Sequence, residues 1–136
     1  MKFLVLDASA VVEYLLGTAL GRAIAGHIRP DVADLHVPAL CDVEVASALR
    51  RILRAGRILE SRADAVLQDY LDLPITRHGH QELLPRMTEL RHNFSAYDAV
   101  YVALTERIEG QLVTGDARLA GAARTLPSAR VLFPDA

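Results

Sequence analysis

The sequence lacks the features that mark secreted and membrane-spanning proteins. Its 136 residues include one cysteine, Cys41, which excludes an intrachain disulfide and suits a reducing compartment. We expect this cysteine to be a small core residue. Two acids, Asp7 and Glu13, interrupt the first apolar stretch, and no apolar run approaches membrane-spanning length. The sequence therefore predicts a cytoplasmic protein.

The chain also lacks an excess of charge of either sign. Lys and Arg number 15 against 17 Asp and Glu, a formal net charge of -2. Such a chain cannot coat nucleic acid with bulk positive charge, so action on a polyanion requires a local patch or a bound metal. Apolar residues make up 51% of the sequence, which excludes a disordered chain. The length fits a single domain over residues 1–136.

Short strand-like runs alternate with segments of helical length. The five predicted strands cover residues 3–6, 35–37, 74–77, 111–114 and 130–133. Between them apolar residues recur at three- and four-residue steps, as at Leu40, Val43, Ala46, Leu49 and Leu53. Glycines follow several of these segments, as expected just past helix ends: Gly17, Gly56 and Gly110. The alternation predicts an α/β protein with a mostly parallel sheet and helices on both faces.

Pro85 falls inside one of the helical segments, which carries Leu83, Met87 and Leu90 at helical spacing. Proline removes a backbone donor and clashes with the preceding turn. That helix therefore either begins late or bends at Pro85.

Four acids occupy positions that apolar surroundings make costly. Asp7 ends the first strand, and Asp116 follows the fourth strand after Gly115, at the edge where open α/β sheets bind ligands. Glu44 and Asp98 lie among apolar and small residues. A structural role is also open: Asp7 and Asp116 are placed to cap helices, Ser95 and Asp98 resemble a capping box, and Glu44 could reach water at its helix edge.

Convergence of these acids would call for a cation. Two carboxylates about 5 Å apart repel by roughly 3 kcal/mol at an effective dielectric near 20. Hard oxygen ligands favour Mg²⁺ or Mn²⁺ over zinc. We therefore predict an acidic pocket that holds one or two such ions.

Four blocks of the sequence resemble one known family. They are FLVLDASAVVEYLL, CDVEVASALRR, SAYDAVYVALTE and LVTGDARLAGAA, which together span most of the chain in order. The layout is similar to that of a PIN domain, and in particular of a VapC-type toxin ribonuclease.

The resemblance implies a fold, an activity and a set of functional residues. The fold is a three-layer α/β/α arrangement with five parallel strands in the order 3-2-1-4-5. The catalytic and metal-binding acids are Asp7, Glu44, Asp98 and Asp116, supported by Ser9 and Thr114. The implied activity is hydrolysis of RNA with Mg²⁺ or Mn²⁺, and the implied partners are a VapB-type antitoxin and a second copy of the chain. Two alternatives stay open: a module that binds RNA or a partner without cutting, and a housekeeping RNA-processing nuclease.

Arginines provide candidates for gripping the substrate. Arg50, Arg54 and Arg57 fall at i, i+4 and i+7, with Arg51 beside them, as expected for one stripe on a helix. Such a stripe is either a phosphate-binding surface or a solvated face.

Other residues favour structural roles. We expect His78 and His80 in a loop, and Tyr97 and Tyr101 in the core, with base stacking as the lesser alternative. Two apolar segments either line a groove for an antitoxin segment or pack in the core: VVEYLL at 11–16, and the stripe of Ala63, Val66, Leu67 and Tyr70.

Overall fold

A computed structural model describes residues 1–29 and 31–134 as alternating strands and helices. The strands are β1 (Lys2–Leu6), β2 (Ala33–Pro38), β3 (Ile75–His78), β4 (Gln111–Val113) and β5 (Arg130–Leu132). The α-helices are α1 (Ala8–Leu16), α2 (Ala19–Ala25), α3 (Leu40–Arg54), α4 (Glu60–Asp72), α5 (Leu84–Glu89), α6 (Ala96–Arg107) and α7 (Ala117–Ala123). A 3₁₀ turn, Gln81–Leu83, precedes α5.

The strands form one parallel sheet in the order β3-β2-β1-β4-β5. The predicted fold class and strand order are confirmed. Leu6 of β1 pairs with Val113 of β4, so the two strands end level with each other. The backbone N–H of Asp7 extends this pairing by donating to the carbonyl of Val113 at 3.1 Å. The register therefore places the residues that follow β1 beside those that follow β4.

Burial along the central strand shows that helices cover both faces of the sheet. Leu4, Val5 and Leu6 are all fully buried. Consecutive strand residues point to opposite faces, so burial of all three requires a layer on each side. Helix α6, which is buried from Ala99 to Thr105, packs on β1, β2 and β4, while α1 packs against α2, α3 and α4.

Local signals account for most helix ends. Asp7, Thr18, Ser95 and Asp116 each accept a backbone hydrogen bond at the start of a helix. Helix α1 ends at Gly17, whose left-handed backbone (φ 68°) suits glycine. Pro85 lies in the first turn of α5, where its missing N–H has no intrahelical partner to lose. Of the two possibilities for this segment, the helix begins late.

The observed strand bounds differ from the predicted ones by one or two residues at an end, and the differences at β2 and β3 matter most. Strand β2 runs from Ala33 to Pro38, longer than predicted, because β1 and β3 pair with it on both sides. His78 was predicted in a loop, and this was wrong. It is the last residue of β3, paired with Pro38, and its Nε2 lies 2.8 Å from Nδ1 of His36.

Among the described residues, no single helix combines the length and apolar character needed to cross a membrane. The pair α1 and α2 meets the criterion only when taken together, and it is bent by 103°.

Candidate active site

A cleft of about 440 Å³ opens beyond the carboxyl ends of β1 and β4. The four predicted acids all line it, together with one acid that was not predicted: Asp7, Glu44, Asp98, Asp116 and Glu13. Strand ends, α3 and α6 thus bring side chains from four distant segments to one place. The convergence assumed from the sequence is present in the structure, whereas the roles of these acids remain predictions.

Asp7 is the most deeply buried of these acids, with 5% of its surface exposed. One carboxylate oxygen, Oδ1, accepts from the Ala10 N–H at 2.9 Å and from the Ser9 hydroxyl at 2.7 Å. The other, Oδ2, accepts from the hydroxyl of Thr114, at the end of β4. Asp7 therefore caps α1 and is also fixed in the cleft, so the structural interpretation is confirmed and remains compatible with the predicted chemical role. Ser9 and Thr114 occupy the supporting positions that the family resemblance implied.

Burial controls the ionisation of Asp7. Loss of hydration raises the pKa of its carboxyl. The bonds from Thr114, Ser9 and Ala10 lower the pKa, and the charge of nearby Asp116 raises it again. The net pKa lies above the ordinary 3.8, so the three donors do not fully replace water around this charge.

Asp116 and Asp98 share one cation, Arg118. Asp116 caps α7 by accepting at Oδ1 from the Arg118 N–H at 2.9 Å and the Leu119 N–H at 3.3 Å. A guanidinium nitrogen of Arg118 lies 3.2 Å from Oδ2 of Asp116 and 2.9 Å from Oδ2 of Asp98. Ser95 accepts from the Asp98 N–H at 3.1 Å, so one half of the predicted capping box is present. The Asp98 carboxylate itself is directed to Arg118.

Glu44 is held by a buried tyrosine. The hydroxyl of Tyr101, which is 3% exposed, donates to Oε1 of Glu44 at 2.5 Å. Burial and the neighbouring acid raise the pKa of Tyr101 well above its ordinary value, so the phenol stays a donor. Cys41 is buried nearby, as predicted, and its burial raises the thiol pKa to about 11.

Sequence reasoning missed Glu13, which lines the cleft, and Arg118, which forms ion pairs with two of the acids that line it. Glu13 lies on α1, and its Oε2 accepts from the Thr18 hydroxyl. With Ser9 and Val12 it forms an i, i+3, i+4 set on the face of α1 that lines the cleft. That spacing was available in the sequence and could have identified Glu13. No comparable signal exists for Arg118, whose ion pairs join two separate helices.

The predicted arginine stripe is only partly present. Helix α3 ends at Arg54, and Gly56 turns the chain with φ 67°, so Arg57 lies beyond the helix and outside the stripe. Arg51 lines the cleft and donates to the Ser47 hydroxyl at 3.2 Å. Arg50 and Arg54 are exposed on the same helix.

The two tyrosines that were predicted in the core, Tyr97 and Tyr101, differ in exposure. Tyr101 is in the core, but Tyr97 is 63% exposed, so its core prediction was wrong. Helix α6 begins at Ala96, and Tyr97 lies in its first turn, before the helix enters the core.

Most of the apolar residues considered for an antitoxin groove are buried, as in the core-packing alternative; Leu67 is exposed.

The donor set of the cleft fits a hard divalent cation. Its carboxylate oxygens come from Asp and Glu, the ligand type that Mg²⁺ and Mn²⁺ favour. Within residues 1–29 and 31–134, no three Asp, Glu, His or Cys side chains already lie close enough together to form an ion site. Arg118 supplies positive charge to Asp98 and Asp116 in this arrangement.

The chain belongs to the PIN-domain family, whose sequence profile matches residues 4–125. Among curated proteins, it is 41% identical over 116 residues to Ribonuclease VapC9 of Mycobacterium tuberculosis, covering 85% of this chain and 87% of that protein. It is 40% identical over 128 residues to Ribonuclease VapC3 of the same species, covering 94% and 90%. The predicted family is confirmed.

Solved structures show the same fold at low sequence identity. VapBC2 from Rickettsia felis, solved bound to a DNA fragment from their promoter, matches with a TM-score of 0.73 and 10% identity, covering 98% of this chain and 100% of that one. PAE2754 from Pyrobaculum aerophilum matches with a TM-score of 0.67 and 24% identity, covering 96% and 83%.

Proposed function

We propose that this chain is a divalent-metal-dependent endoribonuclease and the toxin of a type II toxin–antitoxin pair, with residues 1–136 acting as one PIN domain. The observation that carries the proposal is its identity of about 40% over most of its length to proteins named VapC ribonucleases. The acidic cleft at the end of β1 and β4 supports it, because its donors fit the required cation.

In the proposed mechanism, Asp7, Glu44, Asp98 and Asp116 hold Mg²⁺ or Mn²⁺. When bound, the ion supplies positive charge for the scissile phosphate and lowers the pKa of the attacking water. Such a mechanism needs no histidine as general base.

The chain's own groups orient the acids. Thr114 and Ser9 fix both oxygens of Asp7, and Tyr101 fixes one oxygen of Glu44. These donors restrict the rotation of the carboxylates before substrate binds, so less ordering is required at the moment of reaction.

Arg51 is the best-placed of the predicted substrate-binding arginines, because it lines the cleft. Its guanidinium is available to hold an RNA phosphate next to the acids. Arg50 and Arg54, exposed on the same helix, extend the positive surface away from the cleft.

Exposed apolar side chains support the proposed protein partners. Val43 on α3, Leu59 before α4, and Leu67 and Leu71 on α4 are all exposed. Apolar surface of this kind marks partner binding when it is contiguous. We propose that an antitoxin binds the chain and that the chain forms a homodimer. Co-purification with the product of an adjacent small gene tests the first, and light scattering of the purified chain tests the second.

A cleavage assay tests the proposed enzyme. Purified protein should cut RNA with Mg²⁺ or Mn²⁺ and stop with a chelator. Asp116→Asn should lower the rate about 100-fold or more, because it weakens the hold on the cation. Asp64→Asn, which changes an exposed acid on α4 outside the cleft, is the matched control and should leave the rate unchanged.

Two results would contradict the proposal. Cleavage that persists at full rate in Asp116→Asn or in chelator would exclude this site as its source. Binding of Mn²⁺ and RNA without any cleavage would instead favour a module that binds without cutting.

A further inference from the structure

Arg118 joins two of the acids to which the proposed ribonuclease function assigns a bound cation. It is the second residue of α7, directly after the capping residue Asp116 and Ala117. Its guanidinium joins Oδ2 of Asp98, 2.9 Å away, to Oδ2 of Asp116, 3.2 Å away. One side chain thus neutralises two of the four acids that the proposed function assigns to metal binding.

Exposure shows which partner of these ion pairs is free to move. The side chains of Asp98 and Asp116 are 19% and 36% exposed, whereas that of Arg118 is 68% exposed. Helix starts also fix the positions of both acids, because Asp116 caps α7 and Asp98 lies in the first turn of α6. Arg118 can therefore leave while the two carboxylates stay in place.

The strength of the contacts suits reversible displacement. An exposed ion pair changes an equilibrium constant by a factor of about 1–5, so two such pairs oppose a competing cation by about 25-fold at most. A divalent cation that gathers several carboxylates exceeds this easily. Arg118 competes with the cation for these two oxygens, because two positive charges beside the same carboxylates repel each other.

We propose that Arg118 competes with the divalent cation for the carboxylates of Asp98 and Asp116. This inference rests on the proposed ribonuclease function. It neutralises Asp98 and Asp116 while the cleft lacks a cation. Once displaced, its guanidinium binds a phosphate of the RNA at the rim of the cleft. The planar fork of five N–H donors matches phosphate as well as it matches carboxylate, so the same side chain serves both states.

Calorimetric titration with Mn²⁺ alone, without RNA, tests the competition. Arg118→Gln should bind Mn²⁺ about three- to tenfold more tightly than the wild type, because no guanidinium has to be displaced. Arg118→Lys keeps the charge but loses the fork, and its affinity should fall between the two. Equal or weaker binding by Arg118→Gln would overturn the proposal.

Arg124→Gln is the matched control for charge. Arg124 ends the same helix, is exposed, and forms no ion pair within residues 1–29 and 31–134. Its loss should change the Mn²⁺ affinity by less than about twofold, because Arg124 is paired with neither Asp98 nor Asp116 and salt screens exposed charges that are not in contact. An Arg124→Gln effect as large as that of Arg118→Gln would also overturn the proposal, since net charge alone would then explain both.

Cleavage rates at two Mn²⁺ concentrations test whether Arg118, once displaced, binds an RNA phosphate. Below the wild-type Kd for Mn²⁺, Arg118→Gln should cut faster than the wild type. At saturating Mn²⁺ it should show a KM for RNA raised about three- to tenfold, with a weaker dependence on salt. A KM equal to that of the wild type at saturating Mn²⁺ would overturn the phosphate-binding role.

These outcomes separate the inference from the function on which it rests. If the wild type neither binds Mn²⁺ nor cuts RNA, both fail. If the wild type does both and Arg118→Gln behaves identically, the ribonuclease remains and the role of Arg118 is lost.

Discussion

Replacing Asp7 with asparagine should stabilise the protein without metal while abolishing its proposed activity. Asparagine has the same shape, is an equally good helix cap, and can keep the bonds from Ala10 and Ser9 to Oδ1. It removes a negative charge that is 95% buried and faces only neutral donors. The proposed site thus holds a charge that the metal-free fold does not fully compensate.

The magnitude follows from two opposing effects. Burying the Asp7 carboxylate costs several kcal/mol of hydration free energy. Its three hydrogen bonds recover part of this cost, because a hydrogen bond to a charged group is stronger by about 1 kcal/mol than one to a neutral group. The raised pKa of Asp7 indicates that desolvation prevails. We expect a net gain of about 1–3 kcal/mol for Asp7→Asn at pH 7.5. With an unfolding entropy of about 2.1 cal/mol/K per residue, this raises Tm by about 3–10 °C.

The pH dependence gives the sharper test. Between the unfolded pKa near 3.8 and the higher folded pKa, the folded protein binds more protons than the unfolded chain, so the wild type loses stability as pH rises. The advantage of Asp7→Asn should therefore be full at pH 7.5 and vanish below pH 3.8. Urea unfolding in chelator at a series of pH values measures it. A variant less stable than the wild type at pH 7.5, or an advantage that grows in acid, would refute the reasoning.

Two further predictions concern residues around the cleft. Tyr101→Phe removes the hydrogen-bond donor to Glu44 while keeping the buried ring. We expect the cleavage rate to fall about 10- to 100-fold and the Mn²⁺ affinity measured by calorimetry to weaken. An unchanged rate would show that Glu44 needs no positioning by Tyr101. Arg51→Gln should raise the KM for RNA and reduce the slope of log KM against log salt by about one. Arg91→Gln, an exposed change outside the cleft, is its control, and an equal effect in both would assign the salt dependence to general charge.

The fold was largely predictable because its determinants are local. Most strands contain a short apolar run bounded by Asp, Pro, Gly or Thr, and the intervening segments carry helical spacing. Errors occurred where pairing with a neighbour extends a strand. Asp34 interrupts the apolar pattern before the predicted strand, yet β2 begins at Ala33 because β1 pairs along it. The strand order came from the family resemblance rather than from any local pattern.

Four of the five acids of the cleft were predictable, because an acid in apolar surroundings costs free energy unless it has a partner. Asp7 directly follows the three buried residues of β1, Leu4 to Leu6, and Asp98 precedes a fully buried stretch of α6. The residues that act on these acids were not predictable. The contacts of Tyr101 with Glu44 and of Arg118 with Asp98 join positions 57 and 20 residues apart, and only the tertiary fold brings them together.

The geometry shows that the strand-end acids cap helices, and capping is compatible with the chemistry proposed for them. A helix N-terminus stabilises a neighbouring carboxylate by about 0.3–1 kcal/mol, which helps Asp7 and Asp116 to stay charged. Asp116 also has Arg118, whereas Asp7 has only hydroxyl and amide donors and is buried more deeply. The surrounding groups therefore compensate the negative charge of Asp116 better than that of Asp7. Because a cation gains most beside the carboxylate that is least compensated, we expect Asp7 to contribute more to metal affinity than Asp98 or Asp116.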